Sequence, residues 1–84
     1  MTNTNSNKPA DTLYDGKIRA TIWKNERESG TRYSVQLSRS YQDEAGNWHE
    51  TDSFSATELL RVAHLATRAY DRLAELRKAD RDTA

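Results

Sequence analysis

Two histidines and a group of acidic residues are the side chains whose types could support acid–base or metal chemistry. His49 and His64 are the only imidazoles in the chain, and no His, Asp, Glu or Cys stands three or four residues from His64, as a helical metal site requires. A group of acidic residues lacks the alternating ligands and the closing Glu of a calcium loop; its members are Asp43, Glu44, Glu50 and Asp52. The sequence therefore predicts no enzyme, no catalytic residue, no metal site and no cofactor.

Basic and aromatic residues on the predicted strands are the remaining candidates for a binding surface. Period-two alternation places Lys17, Arg19 and Trp23 on one face of a strand, with Arg32 on the same face of the next. These two strands carry no acid on that face, although the 13 basic and 13 acidic residues of the chain cancel. Single-stranded nucleic acid needs cations for its phosphates and rings for its bases. The candidates for this role are Lys17, Arg19, Trp23, Lys24, Arg32, Arg39, Tyr41 and Trp48.

Two alternatives to nucleic-acid binding stay open. A solvated sheet face ordinarily carries Lys, Arg, Ser and Thr, so the same residues are also typical of a surface without a ligand. The exposed sheet, or the acidic hairpin over residues 43–52, would also suit a protein–protein interaction or inhibitor-like module. The sequence thus predicts a non-catalytic binding module, with single-stranded DNA or RNA as its first ligand and a protein partner as the alternative.

The elements that position these residues are three strands and one helix. Alternation predicts strands over residues 17–24 and 32–38, which form a hairpin. A third strand covers residues 48–54, where a bulge would explain the broken alternation, and residues 12–14 are the candidate for a fourth. The predicted fold is α+β: an antiparallel sheet of three strands, or four with residues 12–14, covered on one face by a C-terminal amphipathic helix in the order βββα.

The helix begins at a capping box, in which Ser55 and Glu58 satisfy each other's backbone groups. It is predicted to run from Ala56 to about Arg77. The stripe predicted to face the sheet consists of Leu59, Val62, Ala63, Ala66, Ala69, Tyr70 and Leu73. Three further leucines flank this stripe and make the apolar arc wider than a narrow sheet can cover, so we expect a homodimer whose interface contains Leu60, Leu65 and Leu76.

Length and composition set the organisation of the chain. Of its 84 residues only 12 are Leu, Ile, Val or Phe, and a core this sparse is marginal in so small a domain. The absence of cysteine removes disulfides, which makes self-association the remaining means of stabilisation. We expect a disordered polar tail over residues 1–12, one domain over 13–77 and a frayed end over 78–84. No apolar run approaches 18 residues and the N-terminus is polar, so a cytoplasmic protein without a membrane span is expected.

Two resemblances extend this interpretation. The segments KIRATIWKNE and YSVQLSRSYQDEAGNWHETDSF resemble those of a group of short bacterial proteins, and that likeness implies no activity. The order of strands and helix is similar to that of the positive-cofactor-four type of transcriptional coactivator and, more distantly, of the Whirly proteins. Asp15-Gly16-Lys17-Ile18-Arg19 stands where the first of these families has a Gly-Lys-x-Arg strand start. The resemblance implies single-stranded DNA binding on the sheet and dimerisation through the helices.

Overall fold

The computed structural model describes residues 8–83, and these form four strands and a long helix. The predicted α+β class is confirmed: the sheet is antiparallel throughout, with its strands in the order of the sequence, and one C-terminal helix packs on it. The elements are β1 (Asp11–Asp15), β2 (Ile18–Arg27), β3 (Gly30–Gln42) and β4 (Trp48–Thr51), then a 3₁₀ turn (Ala56–Glu58) and α1 (Leu59–Thr83).

β1 is the fourth strand for which residues 12–14 were the candidate. The sequence predicts a disordered tail through residue 12, and this boundary is wrong because β1 begins at Asp11. Its backbone pairs with β2, from Asp11 opposite Ile22 to Asp15 opposite Ile18. The carboxylate of Asp11 also accepts a hydrogen bond from Arg72 Nε at 2.6 Å. A polar segment is thus ordered by a backbone ladder and an ion pair, which its composition does not reveal. The rest of the predicted tail, residues 1–7, lies outside the described residues.

The two central strands extend further than alternation predicts. β2 and β3 pair without interruption from Ile18 opposite Arg39 to Arg27 opposite Gly30, so most of the residues between the predicted strands 17–24 and 32–38 belong to the paired hairpin. β4 is shorter than predicted and ends at Thr51. Its register with β3 is continuous, so the broken alternation over residues 48–54 marks the end of a strand rather than a bulge.

The core lies between β2 and the helix. Ile18, Ala20 and Ile22 alternate along β2 and are buried, as expected for one face of a pleated strand. The helix contributes Leu65 and Ala69, which are also buried. Partly buried apolar residues close the edges of this cluster: Leu13, Leu37, Phe54 and Val62. Burial of each large aliphatic side chain stabilises the fold by about 1.5–3 kcal/mol, so a core with so few of them leaves a small margin.

The helix is rotated about its axis relative to the predicted stripe. Leu65 is fully buried and Leu76 is half-buried, whereas Leu59 and Tyr70 are 54% and 74% exposed. The physical reason lies in β1, whose acceptors hold the arginines on one flank of the helix. Asp15, for example, accepts a hydrogen bond from Arg61 Nη1 at 3.0 Å. With these arginines on that flank, Leu65 and Leu76 lie on the buried side of the helix together with Val62 and Ala69 of the predicted stripe. Ala63 and Ala66 of the stripe are exposed.

Both ends of the helical segment are held by side chains. The carboxylate of Glu58 accepts a hydrogen bond from the Ser55 N–H at 2.8 Å, which confirms the capping box. The predicted fraying from residue 78 is wrong, because α1 continues to Thr83. Asp80 accepts hydrogen bonds from Lys24 Nζ at 3.1 Å and from the hydroxyl of Tyr33, which tie the last turns to the β2–β3 hairpin. Within residues 8–83, no helix is both long and apolar enough to cross a membrane.

Candidate nucleic-acid interface

One face of the sheet carries the helix, and the other face, here called the open face, carries no secondary-structure element of the described chain. Strand parity assigns the open face, because residues directly opposite each other point to the same side. Ile18, Ala20 and Ile22 point to the helix, so their neighbours in β2 point away from it. The open face consists of Thr12 and Tyr14, of Arg19, Thr21, Trp23, Asn25 and Arg27, of Arg32, Ser34, Gln36, Ser38, Ser40 and Gln42, and of Trp48 and Glu50.

Three of the five predicted phosphate-binding cations belong to the open face. Arg19 and Arg32 lie on it by parity, and Lys17 reaches over it, with Nζ 5.5 Å from the centre of the Trp48 ring. Arg19 and Arg32 lie toward opposite ends of β2, since Arg32 of β3 is paired with Asn25. Lys17 and Asn25 are eight residues apart, about 26 Å along an extended strand. The cations therefore form a line along β2 rather than one cluster.

The other two predicted cations, Lys24 and Arg39, lie on the helix side, and their placement in the interface is wrong. Lys24 donates to Asp80. The Arg39 Nε lies 3.2 Å from Glu58 Oε1, and its Nη2 donates to the carbonyl of Ser53 at 3.2 Å. Their side chains point toward the helix because even-numbered residues of β2 and odd-numbered residues of β3 lie on the helix side. Both cations hold the helical segment to the sheet.

Two of the three predicted stacking residues are on the open face. Trp23 is half-buried there, with Nε1 3.4 Å from Gln36 Oε1, and Trp48 is 59% exposed. Tyr41 lies on the helix side opposite His49, and the two rings stack with their centres 5.3 Å apart. Tyr41 is therefore wrongly assigned to the interface, for the same reason of parity.

Tyr14 is the aromatic residue of the open face that sequence reasoning missed. Its ring is 60% exposed, and it stands opposite Arg19. An open depression lies on the β1–β2 half of the face, lined by Pro9, Thr12, Tyr14, Arg19, Thr21 and Trp23. Residues 12–14 were the candidate for a fourth strand, but the position of Tyr14 beside Arg19 follows from the pairing of β1 with β2 and not from alternation alone.

The charge of the open face is divided between its two halves. The β1–β2 half carries Arg19, whereas Glu50 and Asp52 line a second depression at the end of β4. Glu50 forms an ion pair with Arg19. Alternation predicts no acid on this face of the two central strands, and β2 and β3 carry none there. β4 adds Glu50 beside the basic row. On the open face, a polyanion would therefore be attracted to Arg19 on the β1–β2 half and to Lys17 and Arg32 at the two ends of the row.

The acidic hairpin is organised around its own loop. Asp43 Oδ1 accepts hydrogen bonds from the N–H groups of Ala45 and Asn47, both at 2.9 Å. Its second carboxylate oxygen lies 2.8 Å from His49 Nε2. The hydrogen bond with His49, followed by that from the Asn47 N–H, lowers the pKa of Asp43 below its ordinary value. Within residues 8–83, no three His, Asp or Glu side chains converge on a point where a metal ion could bind.

The three leucines predicted to form a dimer interface have three different environments. Leu65 is fully buried in the core of its own chain, so it cannot contact a second copy and this prediction is wrong. Leu76 is half-buried on the side of the helix that faces the sheet. Leu60 is 83% exposed. The helix therefore presents one of these leucines at its surface, which is too little for the predicted interface.

Comparison of the chain with protein-family profiles, with curated protein sequences and with solved structures gave no match. The fold and the open face are therefore the basis for any functional conclusion.

Proposed function

We propose that this chain is a non-catalytic module that binds single-stranded DNA or RNA on the β1–β2 half of its open sheet face, and that it acts as a homodimer. The residues proposed to carry the interaction are Tyr14, Arg19 and Trp23 at the centre, with Lys17, Arg32 and Trp48 around them. This is the set predicted from sequence, without the three residues on the helix side and with the addition of Tyr14.

The observation that carries the proposal is the depression that contains both Tyr14 and Trp23. The floor between them includes Thr21, which is only 8% exposed, so a flat ring entering there would meet a polar but largely dehydrated surface. Arg19 lines the same depression and can place its guanidinium against a phosphate or a base edge. Stacking of a base on an aromatic side chain contributes about 1–3 kcal/mol. The depression therefore supplies one strong base site with a cation beside it.

The remaining charges limit how strongly the phosphate backbone can be bound. When the cations of a protein neutralise Z phosphates of a single strand, log affinity falls against log salt concentration with a slope of about −0.7 Z. Lys17, Arg19 and Arg32 together predict a slope of about −2, and Glu50 reduces the share of Arg19. Base stacking should therefore contribute more to the affinity than phosphate neutralisation, and the affinity should fall only moderately as the salt concentration rises.

The test is a titration of a fluorescently labelled oligothymidylate of about twelve nucleotides, within the 4–16 nucleotides that one small module covers. Tyr14→Ala is expected to weaken binding by about 5- to 150-fold, the equivalent of 1–3 kcal/mol. Tyr70→Ala is the matched control, because Tyr70 is 74% exposed but lies on the helix, on the other side of the sheet. It should leave the affinity unchanged.

A second measurement follows the indoles directly. In a Trp48→Phe background Trp23 is the one remaining tryptophan, and stacking of a base on it should quench its fluorescence as the oligonucleotide is added. Equal weakening by the Tyr14 and Tyr70 variants, or no binding of a labelled single strand at low salt, would contradict the proposal.

The alternative, a protein-binding module that uses the acidic hairpin, has less support. Asp43 is engaged by its own loop and Glu50 by Arg19, so two of the acids that would meet a basic partner are already bound. Displacement of a bound oligonucleotide from this chain by another protein would favour this alternative.

A further inference from the structure

The outer edge of β3 is unpaired over most of its length. β2 pairs with the inner edge of β3 from Gly30 to Arg39, but β4 pairs only with Arg39 to Gln42. Over residues 31–38, no strand within the described part of the chain lies beside the outer edge. Unpaired strand edges present backbone donors and acceptors to any other strand that can reach them.

The hydrogen-bond pattern identifies which residues face outward. The Ser40 N–H donates to the carbonyl of Lys17 at 3.0 Å, so even-numbered residues of β3 direct their backbone groups toward β2. Because the β2–β3 register is continuous, odd-numbered residues direct theirs outward. The outward residues of the free segment are Thr31, Tyr33, Val35 and Leu37.

Side chains of the same four residues lie on the helix side, where cover is incomplete. The helix lies chiefly over β1 and β2 and touches β3 little, which leaves Val35 36% exposed. A groove between the free edge and the C-terminal half of the helix is lined by Ser29, Thr31, Arg32, Tyr33, Leu73 and Arg77. An apolar side chain on an added strand would enter this groove from the edge.

We propose that the free edge of β3 is a docking surface for a second copy of this chain, which pairs through its own β3 edge in antiparallel orientation. A two-fold axis through Ser34 uses all four outward residues of each copy. Thr31 then pairs with Leu37 of the partner subunit, and Tyr33 pairs with Val35 of the partner subunit. Two four-stranded sheets become one continuous eight-stranded sheet, with both helices on the same side.

The edge is complementary to itself in this register. On the open face Arg32 faces Gln36 of the partner subunit, and no like charges oppose each other across the axis. On the helix side, Leu37 of the partner subunit lies beside Thr31, next to the groove lined by Leu73. Cross-strand pairs of this kind each contribute roughly 0.2–1 kcal/mol.

Two further observations favour a second copy as the occupant. Residues 31–38 contain no proline and no lysine, and Arg32 is their one charged residue. They therefore lack the devices that normally keep an edge strand from pairing. The core of the single chain is also small, with Ile18, Ile22 and Leu65 as its largest fully buried side chains. Pairing would cover Val35 and add apolar contacts where the chain has few.

The inference stands apart from the proposed nucleic-acid binding, because the pairing can be measured without an oligonucleotide. It does deepen that proposal. In the eight-stranded sheet the two open faces lie side by side and form one surface, so a single strand could contact both copies. The predicted helix interface is replaced by a strand interface.

The first test is disulfide cross-linking, for which a chain without cysteine is well suited. On the two-fold axis the two Ser34 residues form a non-hydrogen-bonded pair with Cα atoms about 4.5 Å apart, within the range of a disulfide. Ser34→Cys should therefore give a covalent dimer under mild oxidation. Ser38→Cys is the matched control, since Ser38 lies four residues from the axis and its two copies would be about 26 Å apart.

The second test is the mass in solution by sedimentation equilibrium at high micromolar concentration. The wild type should show twice its 9.6 kDa monomer mass, and Val35→Lys should show the monomer mass, because a charge at the edge opposes pairing. Gln42→Lys is the control: Gln42 lies on β3 but pairs with Trp48, so the dimer should persist.

Four results would overturn the inference. They are a monomeric wild type, cross-linking of Ser38→Cys as readily as Ser34→Cys, a Val35→Lys variant that is folded and still dimeric, and a dimer that Ser34→Cys fails to cross-link. A monomer would leave the edge open to an extended segment of another protein. If Val35→Lys failed to fold, the cross-linking pair would still decide the matter.

Discussion

Leu65 and Leu60 are two leucines of one helix whose truncation should have opposite consequences. Leu65 is fully buried against Ile18, Ala20 and Ala69, whereas Leu60 is 83% exposed. Leu65→Ala removes three carbon atoms at about 0.8 kcal/mol each, about 2.4 kcal/mol in total. The cavity left behind adds to this, so we expect a loss of about 3 kcal/mol, within the roughly 2–5 kcal/mol typical of buried leucines. Leu60→Ala should change the stability by less than about 0.5 kcal/mol.

The assay is urea unfolding, followed by far-ultraviolet circular dichroism. A domain this small is expected at the lower end of the usual range of about 5–15 kcal/mol of stability, so the measurements belong at about 15 °C, close to the usual maximum of stability. A loss of about 3 kcal/mol corresponds to a fall in melting temperature of about 12–24 °C for a domain of this size. The Leu60 variant should melt within about 4 °C of the wild type.

Equal losses in the two variants would refute the helix orientation. So would a large loss in Leu60→Ala with little change in Leu65→Ala, since the helix would then present its other side to the sheet. A Leu60→Ala variant that became monomeric while the wild type was dimeric would restore a helix interface and contradict pairing through β3.

Three smaller perturbations test other parts of the fold. The pKa of Asp43 is lowered mainly by the hydrogen bond of its carboxylate with His49. The ionised carboxylate therefore contributes its full stabilisation above its ordinary pKa of 3.8, and this stabilisation is lost as the pH falls through the lower pKa of the folded state. Asp43→Asn should reduce the loss of stability that urea titrations record between neutral and strongly acidic pH. Gly16 has a φ of 62° in the β1–β2 turn, and an added Cβ would lie 3.3 Å from Arg61 Nη1. Gly16→Ala should therefore lower the free energy of unfolding in urea by about 1–2 kcal/mol, the cost of the left-handed conformation for an L-residue. Asp80→Asn should weaken the contact with Lys24 and speed amide hydrogen exchange in the last turns of α1, while exchange near Leu65 stays unchanged.

Several parts of the fold and of the site could be predicted because they depend on neighbours in the sequence. Alternation over residues 17–24 correctly separated Ile18 and Ile22 from Arg19 and Trp23, since successive side chains of a strand point to opposite faces. The capping box at Ser55 correctly located the start of the helical segment, because its hydrogen bonds span only three residues.

Other parts could not be predicted, because they depend on which strand lies beside which. Lys24 and Arg39 were assigned to the binding surface by residue type, and their parity within the paired strands places both on the helix side. Tyr14 was overlooked because the candidate strand over residues 12–14 had no assigned neighbour, and only its register with β2 places Tyr14 opposite Arg19 on the open face. The pairing of the strands, not the composition, therefore decided which residues lie on the open face.

The sequence by itself determined an α+β chain with two alternating central strands and a capped C-terminal helix, since these features follow from local periodicity and local hydrogen bonds. The tertiary structure decided which side of that helix is buried, because Leu65 and Tyr70 are both apolar enough to face a sheet. The choice between them depends on acids such as Asp11, which meets Arg72 from 61 residues away. Contacts between residues so far apart in the sequence leave no periodic signal in the chain.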